Sequence, residues 1–394
     1  MTVLSPSYAL ERATRYVKGY TGRSARRLLL SKVPGARGLA FRQPDQLTME
    51  EAQVMMSTRD LTDPSTGPHA MQLLVESAKT ALGVRWGIST QIHRANLIVD
   101  VNDNYGRLHF DKSAILRDLR YAYRVSNNLM LRTHLSSLGP NLIKAVAQQQ
   151  LPADFDKLFV MPGLAYRRET VDRFHGATFH QVDFWRLAKR ENFTKEELQE
   201  FIAVVMGSWF PGMQYRSTPT KHPYTRLGRQ VDILFESAWL EIGECGVIAK
   251  NLLGQEGLDT DEWSGMLFGL GIDRAIMVRK GVSDIRLLSV SDEKVQAQFL
   301  NLDPWRPVPL GRQVTRELQL QLTTSEDEDS IGDHIHEVLG ESARLLQKVH
   351  ILHRHEGRLS LQVTFQALQE DLTEAAVDLL CSRLATKLQN QLAG

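Results

Sequence analysis

Between Ala165 and Asp183 two apolar runs flank the segment TVDRFHGA, and this hairpin signal constrains the fold more than any other feature of the chain. Period-2 alternation puts Arg167 and Glu169 on one face of the first strand, and Phe179, Gln181 and Asp183 on one face of the second. Polar groups and an aromatic ring on a face otherwise suited to a core are costly to bury unless they bind something polar. The pattern describes either a ligand platform or an amphipathic sheet face open to water.

The segments ANLIVDV, DKLFVMPGLAYRRE, TFHQVDFWRLA, VDILFESAWLEIGECGV and GMLFGLGID also read as strands. Helical stretches lie among them: residues 195–206, and Gly67–Leu82, where Ala70, Met71, Leu73, Leu74, Ala78 and Leu82 recur near helical spacing. Frequent hairpin-like connections favour an α+β fold, an antiparallel or mixed sheet with flanking helices, over a doubly wound nucleotide fold. The proline-rich DPWRPVP marks a linker over residues 301–312, since proline fits neither a helix interior nor a central strand.

Beyond the linker the expected order is strand 314–322, helix 330–347, strands 349–354 and 358–366, and helix 373–391. This is a ferredoxin-like α/β sandwich whose last strand is missing or very short. Leu359, Leu361, Val363 and Phe365 alternate with Ser360, Gln362, Thr364 and Gln366, so one face is covered and one is wet. The expected organisation is a basic helical segment 1–60, a domain 61–300, the linker, and a small domain 313–394.

Composition excludes more than it identifies. With 42% hydrophobic and 24% charged residues and a formal charge of +1, the chain reads as soluble, and any nucleic-acid contact must come from local patches. Its two cysteines, Cys245 and Cys381, lack CxxC spacing, which argues against a disulfide framework or structural zinc and fits a reducing compartment. No apolar run is long enough for a membrane helix, so no membrane partner is expected. Arg12, Arg15, Lys18, Arg23, Arg26, Arg27 and Lys32 face only Glu11. That stretch is a solvated helix, an arm for a nucleic-acid backbone or an organellar transit peptide, so the location is cytoplasmic or, on the last reading, the mitochondrial matrix. His350, His353 and His355 divide between two faces of a regular strand, which argues against a metal site.

The segment YRRET…H…FHQVD resembles motif 2 of the class II aminoacyl-tRNA synthetases in its phenylalanyl form. The resemblance implies a class II catalytic sheet that uses ATP and Mg2+ to activate an amino acid. By it, Arg167 holds the α-phosphate and the reacting carboxylate, Glu169 and His175 contact adenine or the distal phosphates, and Phe179 stacks on adenine. A guanidinium is a permanent cationic fork for the charge that builds on phosphate oxygens. GMLFGLGIDRAIM is similar to motif 3, with Gly269 and Gly271 letting backbone approach a nucleotide and Arg274 near a helix start taking the γ-phosphate. WLEIGECGV resembles the strand before motif 3, with Glu241 a magnesium ligand and Cys245 and Gly246 lining the amino-acid pocket; the alternatives are a surface salt bridge and a packing cysteine. LRTHLSS resembles the family's RTHTS segment and places His134 and Ser136 beside the amino acid, with Gln181 and Asp183 joining them. RELQLQL, ESARLLQKVHIL and GRLSLQVTFQA resemble the ferredoxin-like anticodon-binding module, although the wet face offers Gln319, Gln321, Gln362 and Thr364 rather than stacking rings.

Several positions depart from that pattern. Motif 1 shows no proline-ended strand after the helix at 67–82. His222, Pro223, Tyr224 and Thr225 stand where the family has Phe-Pro-Phe-Thr, and Leu267 where it has alanine. Gly139 replaces a glutamine, Asp183 a glutamate and Arg226 a glutamate. The expected pocket is more polar and shallower, for a phenylalanine-like or a smaller, more polar amino acid. Three functions follow: a phenylalanyl-type synthetase that charges tRNA, a tRNA-independent amino-acid-activating paralogue, and a non-catalytic tRNA-binding paralogue. A monomer or homodimer is expected.

Overall fold

The computed structural model describes residues 46–112, 122–168, 173–308, 311–321, 328–355, 358–367 and 372–392. The basic stretch from Arg12 to Lys32 and the candidate residue Glu169 lie outside them. Among the described residues no helix is long and apolar enough to cross a membrane.

Helix α1 (Met49–Met56) opens with a capping box in which Thr48 and Glu51 satisfy each other's backbone N–H groups. Helix α2 (Ala70–Trp86) begins where His69 Nδ1 accepts the Met71 N–H and stops at Gly87, whose φ of 64° suits glycine. Ala70, Met71, Leu74, Val75, Ala78 and Leu82 form its buried face. A strand that the sequence did not signal, β1 (Ser89–Ile92), follows and pairs in parallel with β4 (Asp156–Tyr166). It is mostly exposed and lacks an apolar alternation, so periodicity had nothing to detect.

Between them lie a two-stranded ribbon of β2 (Ile98–Asp100) and β3 (Leu129–Leu131) and the helix α3 (Gly139–Ala147). After β4 come β5 (Thr178–Lys189), α4 (Lys195–Trp209), β6 (Tyr215–Pro219), β7 (Thr225–Phe235), β8 (Ala238–Ile248), β9 (Trp263–Gly271) and α5 (Ile272–Lys280). The seven strands form one mixed sheet ordered β1-β4-β5-β9-β8-β7-β6, in which every pair but β1–β4 is antiparallel. VDILFESAWLEIGECGV thus divides into two strands. Glu236 and Ser237, with φ of 47° and 67°, make the reversal.

Alternation assigns the two faces of the sheet. Val160, Val182, Phe184, Val231, Ile242, Cys245, Val247, Phe268 and Leu270 share a core with α2, α4 and α5. On the opposite face Met161, Ala165, Trp185 and Leu267 pack with Tyr105, Leu135, Leu142 and Ile143, so this face too is roofed. Neither side of this sheet is simply wet.

The proline-rich segment after α5 is held against the core. Trp305 stacks on Phe299 at 5.2 Å, its N–H reaches the Lys280 carbonyl, and the Lys280 ammonium donates to the Asn301 and Asp303 carbonyls. Beyond it β10 (Gln313–Gln321), α6 (Glu328–Leu339), β11 (Leu346–His355), β12 (Arg358–Gln366) and α7 (Glu374–Leu392) build a three-stranded antiparallel sheet ordered β10-β12-β11. Helix 330–347 is shorter than expected, because Gly340, at φ 55°, turns the chain into a 3-10 segment before β11. Bidentate pairing with Asp284 orients Arg286 so that its guanidinium donates to the Leu346 carbonyl at 2.7 Å, joining this unit to the core.

A register shift in β11 corrects the histidine pattern. A bulge between Ile351 and His353 pairs His350 with Gln362 and His353 with Ser360, so both occupy the open face rather than opposite faces.

Candidate active site

Backbone register brings three strands' polar groups into one row on the roofed face. Asp183 of β5 lies opposite Gly269 of β9, and Gly269 opposite Glu244 of β8. The neighbouring row is Trp185, Leu267 and Gly246. On the other side Gln181 pairs with Gly271 and Gly163, and Phe179 with Ala165. The alternation in β5 therefore places Phe179, Gln181 and Asp183 together as expected.

Asp183 is fully buried and its carboxylate accepts three hydrogen bonds, two at Oδ2 and one at Oδ1. Ser136 Oγ donates to Oδ2 at 2.6 Å, Trp185 Nε1 to Oδ2 at 3.2 Å, and Gln181 Nε2 to Oδ1 at 2.9 Å. Desolvation nevertheless holds its pKa above the ordinary carboxylate value, against those three donors. Gly269 keeps the row open: a Cβ there would stand 3.0 Å from Asp183 Oδ1 and 3.2 Å from Gln181 Nε2. The Gln181 Oε1 atom is buried without a hydrogen-bond partner, as is His134 Nδ1. Burial, reinforced by Arg167, pushes His134 down to about 3, so its ring is neutral.

Arg167 follows β4 directly, and its N–H still pairs with the Ala177 carbonyl at 2.9 Å, extending the hairpin past the strand end. Its Nε donates to the Thr133 carbonyl at 2.9 Å, and its guanidinium lies 5.1 Å from the centre of the Phe179 ring. Arg274 sits in the first turn of α5, after Gly271 at the N-cap, and donates to the Phe174 and Glu241 carbonyls, both at 3.3 Å. His175 is half-buried in the same β4–β5 connection. Arg167 thus stands at the base of that connection, where its two ends pair, and Arg274 holds Phe174 within it.

Between these anchors a buried pair fixes the backbone. His180 accepts the Leu61 N–H through Nε2, while Asp273 accepts the His180 N–H at 2.5 Å and lies 3.3 Å from His180 Nδ1. Burial would lower the His180 pKa, but Asp273 outweighs it and raises it above the ordinary histidine value. This pair ties the strand that bears Phe179 and Gln181 to the turn that bears Arg274.

The amino-acid end of the face is only partly as expected. Tyr224 is packed between His222, at 5.4 Å, and Phe110, at 6.0 Å, and desolvation raises its phenol pKa. His222 Nε2 is bonded to Glu244 Oε2, and Thr220 Oγ1 donates to Glu244 Oε1 at 3.0 Å. Desolvation would raise Glu244, but His222 and Thr220 hold it below the ordinary carboxylate range. The Glu241 carboxyl is raised by desolvation and by Glu244, with Arg274 opposing.

Cys245 is a correction. It belongs to the helix-side core, 1% exposed, and burial pushes its thiol up to about 12, so it lines no pocket on the opposite face. Gly246 does face the site, and a Cβ there would meet Thr225 Cβ at 2.8 Å. Cys245 and Gly246 are adjacent in a strand and cannot share a face; strict alternation from Gly246 leads to Glu244, the residue that sequence reasoning missed. Trp185 was missed as well, one step beyond Asp183 on the same alternation. Gly139 leaves no room for a side chain, because a Cβ would stand 2.1 Å from the Trp185 ring. Arg226 is exposed and donates to Asn192 Oδ1 at 3.1 Å.

Comparison with known proteins agrees with this geometry. The family described as tRNA synthetases class II core domain (F) matches residues 67–299. The phenylalanine--tRNA ligase alpha subunit of Prochlorococcus marinus (strain MIT 9313) is 29% identical over 249 residues, which are 63% of this chain and 72% of that protein. The protein of the same name from Lactococcus lactis subsp. lactis is 27% identical over 283 residues, 67% of this chain and 79% of its own length. That from Nostoc punctiforme is 31% identical over 196 residues, 50% of this chain and 57% of its own.

Proposed function

This chain belongs to the class II tRNA synthetase core family, and from that premise we propose that it activates an amino acid with ATP and transfers it to tRNA. The observation that carries the reading is the roofed polar face: the Asp183–Gly269–Glu244 row, with Arg167 against Phe179 at one end and Arg274 in the first turn of α5. In the first step the amino-acid carboxylate attacks the α-phosphorus of ATP, pyrophosphate leaves, and an aminoacyl-adenylate forms. In the second a terminal tRNA hydroxyl takes the acyl group and AMP leaves.

Residue roles follow from chemistry. Arg167 is the group for the reacting carboxylate and α-phosphate, because a guanidinium pairs bidentately with either. Arg274 takes the terminal phosphate, where the N-terminal turn of α5 adds the field of its backbone N–H groups. Phe179 offers a ring face to adenine, already polarised by the Arg167 cation. Gln181 Oε1, a buried acceptor without a donor, together with Asp183, suits the substrate ammonium. Glu241 is the carboxylate for Mg2+, which bound there would neutralise phosphate charge; desolvation and the neighbouring Glu244 both raise its pKa, and a cation would offset both.

The similar proteins are named as alpha subunits. The present chain carries its own three-stranded unit beyond residue 312 and works, on this reading, as a monomer or homodimer in the cytoplasm. Amino-acid-dependent ATP–pyrophosphate exchange, followed by transfer to total tRNA, tests the proposal. Exchange with transfer is expected; exchange without transfer would reduce the function to activation alone, and no exchange with any amino acid would reject it.

A further inference from the structure

We infer that Asp273 is a positioning residue for ATP: by bonding both the backbone and the ring of His180 it fixes the start of α5, so that Arg274 meets the terminal phosphate of a nucleotide whose base lies on Phe179. The inference rests on the activation reading above and adds a residue that acts through its neighbour.

Asp273 stands where a carboxylate is unfavourable. It is 8% exposed, and it immediately precedes the arginine offered to a phosphate, where a free carboxylate would repel the anion. Its side chain is instead turned toward β5. The β5–β9 ladder ends with Gln181 opposite Gly271, and the next β5 amide, that of His180, donates to Asp273 Oδ2 at 2.5 Å. The carboxylate thus prolongs the ladder by one bond after the backbone has turned away into the helix. Its other oxygen lies 3.3 Å from His180 Nδ1.

The ring is fixed from its far side as well. The Leu61 N–H donates to His180 Nε2 at 3.0 Å, which leaves a proton on Nδ1 to face Asp273. Asp60 holds that segment in turn, since its Oδ1 accepts the Thr62 N–H at 2.9 Å and its Oδ2 lies 3.2 Å from Arg94 Nη1. Arg274 depends on the resulting anchor. Its own bonds, to the Phe174 and Glu241 carbonyls, are both 3.3 Å long, beyond the usual range for an N–H···O bond, and Gly271 at the N-cap has no side chain to pin the helix start. Strand β5 is paired along both edges, with β4 and β9, so it is the fixed reference. Loss of the Asp273 bonds therefore displaces Arg274 and leaves Phe179 in place. AMP, which needs Phe179 and Arg167, is insensitive to that displacement; ATP, which needs Arg274 as well, is not.

Equilibrium binding of ATP and of AMP, measured by titration calorimetry in the presence of Mg2+, separates positioning from a merely structural role. Asp273→Ala and the isosteric Asp273→Asn are each expected to weaken ATP about 10-fold, as for a loosened charged hydrogen bond, and to leave AMP within about 2-fold of wild type. In an Arg274→Ala background the same changes are expected to cause no further loss of ATP affinity, because the group they position is gone. Equal losses for ATP and AMP, an unchanged ATP affinity, or losses that add to that of Arg274→Ala overturn the inference, and wild-type exchange then still upholds the activation reading. A thermal melt checks folding, and if Asp273→Ala unfolds, Asp273→Asn carries the test alone. Wild-type protein that supports no exchange with any amino acid rejects the activation reading itself, and this inference with it.

Discussion

The chain builds two sheets from the same alternating pattern and finishes them differently. In the three-stranded sheet Val314, Leu318, Leu320, Leu359, Leu361, Val363 and Phe365 pack under α6 and α7. The facing residues form a polar ladder: Thr315 with Thr364, Glu317 with Gln362, Gln319 with Ser360. These meet water, and a single Thr315–Thr364 hydroxyl contact of 3.0 Å is typical of their bonding. In the seven-stranded sheet the corresponding polar residues lie under a roof. There Asp183 needs three donors, Glu244 needs two partners, and Gln181 Oε1 is left wanting one. Polar alternation alone therefore does not mark a site. Polar alternation that the fold then covers does, because buried polar groups cost free energy unless something satisfies them.

Substitution breaks or sharpens this contrast, with the largest effect at the arginines. Arg167→Ala and Arg274→Ala should each lower amino-acid-dependent pyrophosphate exchange by about 100- to 1,000-fold without unfolding the protein, as expected for a lost charge-stabilising donor. The paired change Gln319→Ala with Gln362→Ala on the open face should leave exchange untouched. Gly269→Ala comes next: its methyl would crowd Asp183 and Gln181, and a displacement of that order within a catalytic row costs up to about 100-fold in rate.

Stability separates the sheets more gently. Asp183→Asn sets an amide N–H2 against donors that now find a carboxylate, and urea denaturation should show a loss of about 1–3 kcal/mol. Gln362→Ala should stay within about 0.5 kcal/mol of wild type. An equal loss at both positions would erase the distinction between covered and open faces.

The smallest effect is a pH dependence. Glu244 has a depressed folded pKa, so its contribution is fully present above the ordinary carboxylate value and is lost as pH falls through the folded one. His222→Phe should flatten that acid-side limb of the stability profile, and an unchanged limb would mean that the His222–Glu244 pair is not its source.

Much of this was legible in the sequence, for a physical reason. Phe179, Gln181 and Asp183 were found because β5 is a regular strand, and Arg274 because glycine and an apolar run set the start of α5. Failures fall where regularity ends or was not followed. Cys245 was misplaced because the resemblance to the family's strand was followed without its parity, and Glu244 was lost with it. His350 and His353 share a face only through a bulge that no residue pattern announces. The contact of Phe110 with Tyr224 joins segments distant in sequence, so nothing local predicts it.

The most direct test of the account is mass-spectrometric detection of the adenylate itself. Wild-type protein and Arg167→Ala are incubated with ATP, Mg2+ and a mixture of the proteinogenic amino acids, and protein-bound small molecules are analysed after rapid quench. The account predicts an aminoacyl-adenylate with wild type that is lost in Arg167→Ala. No adenylate with wild type, or an equal amount with the variant, would contradict it.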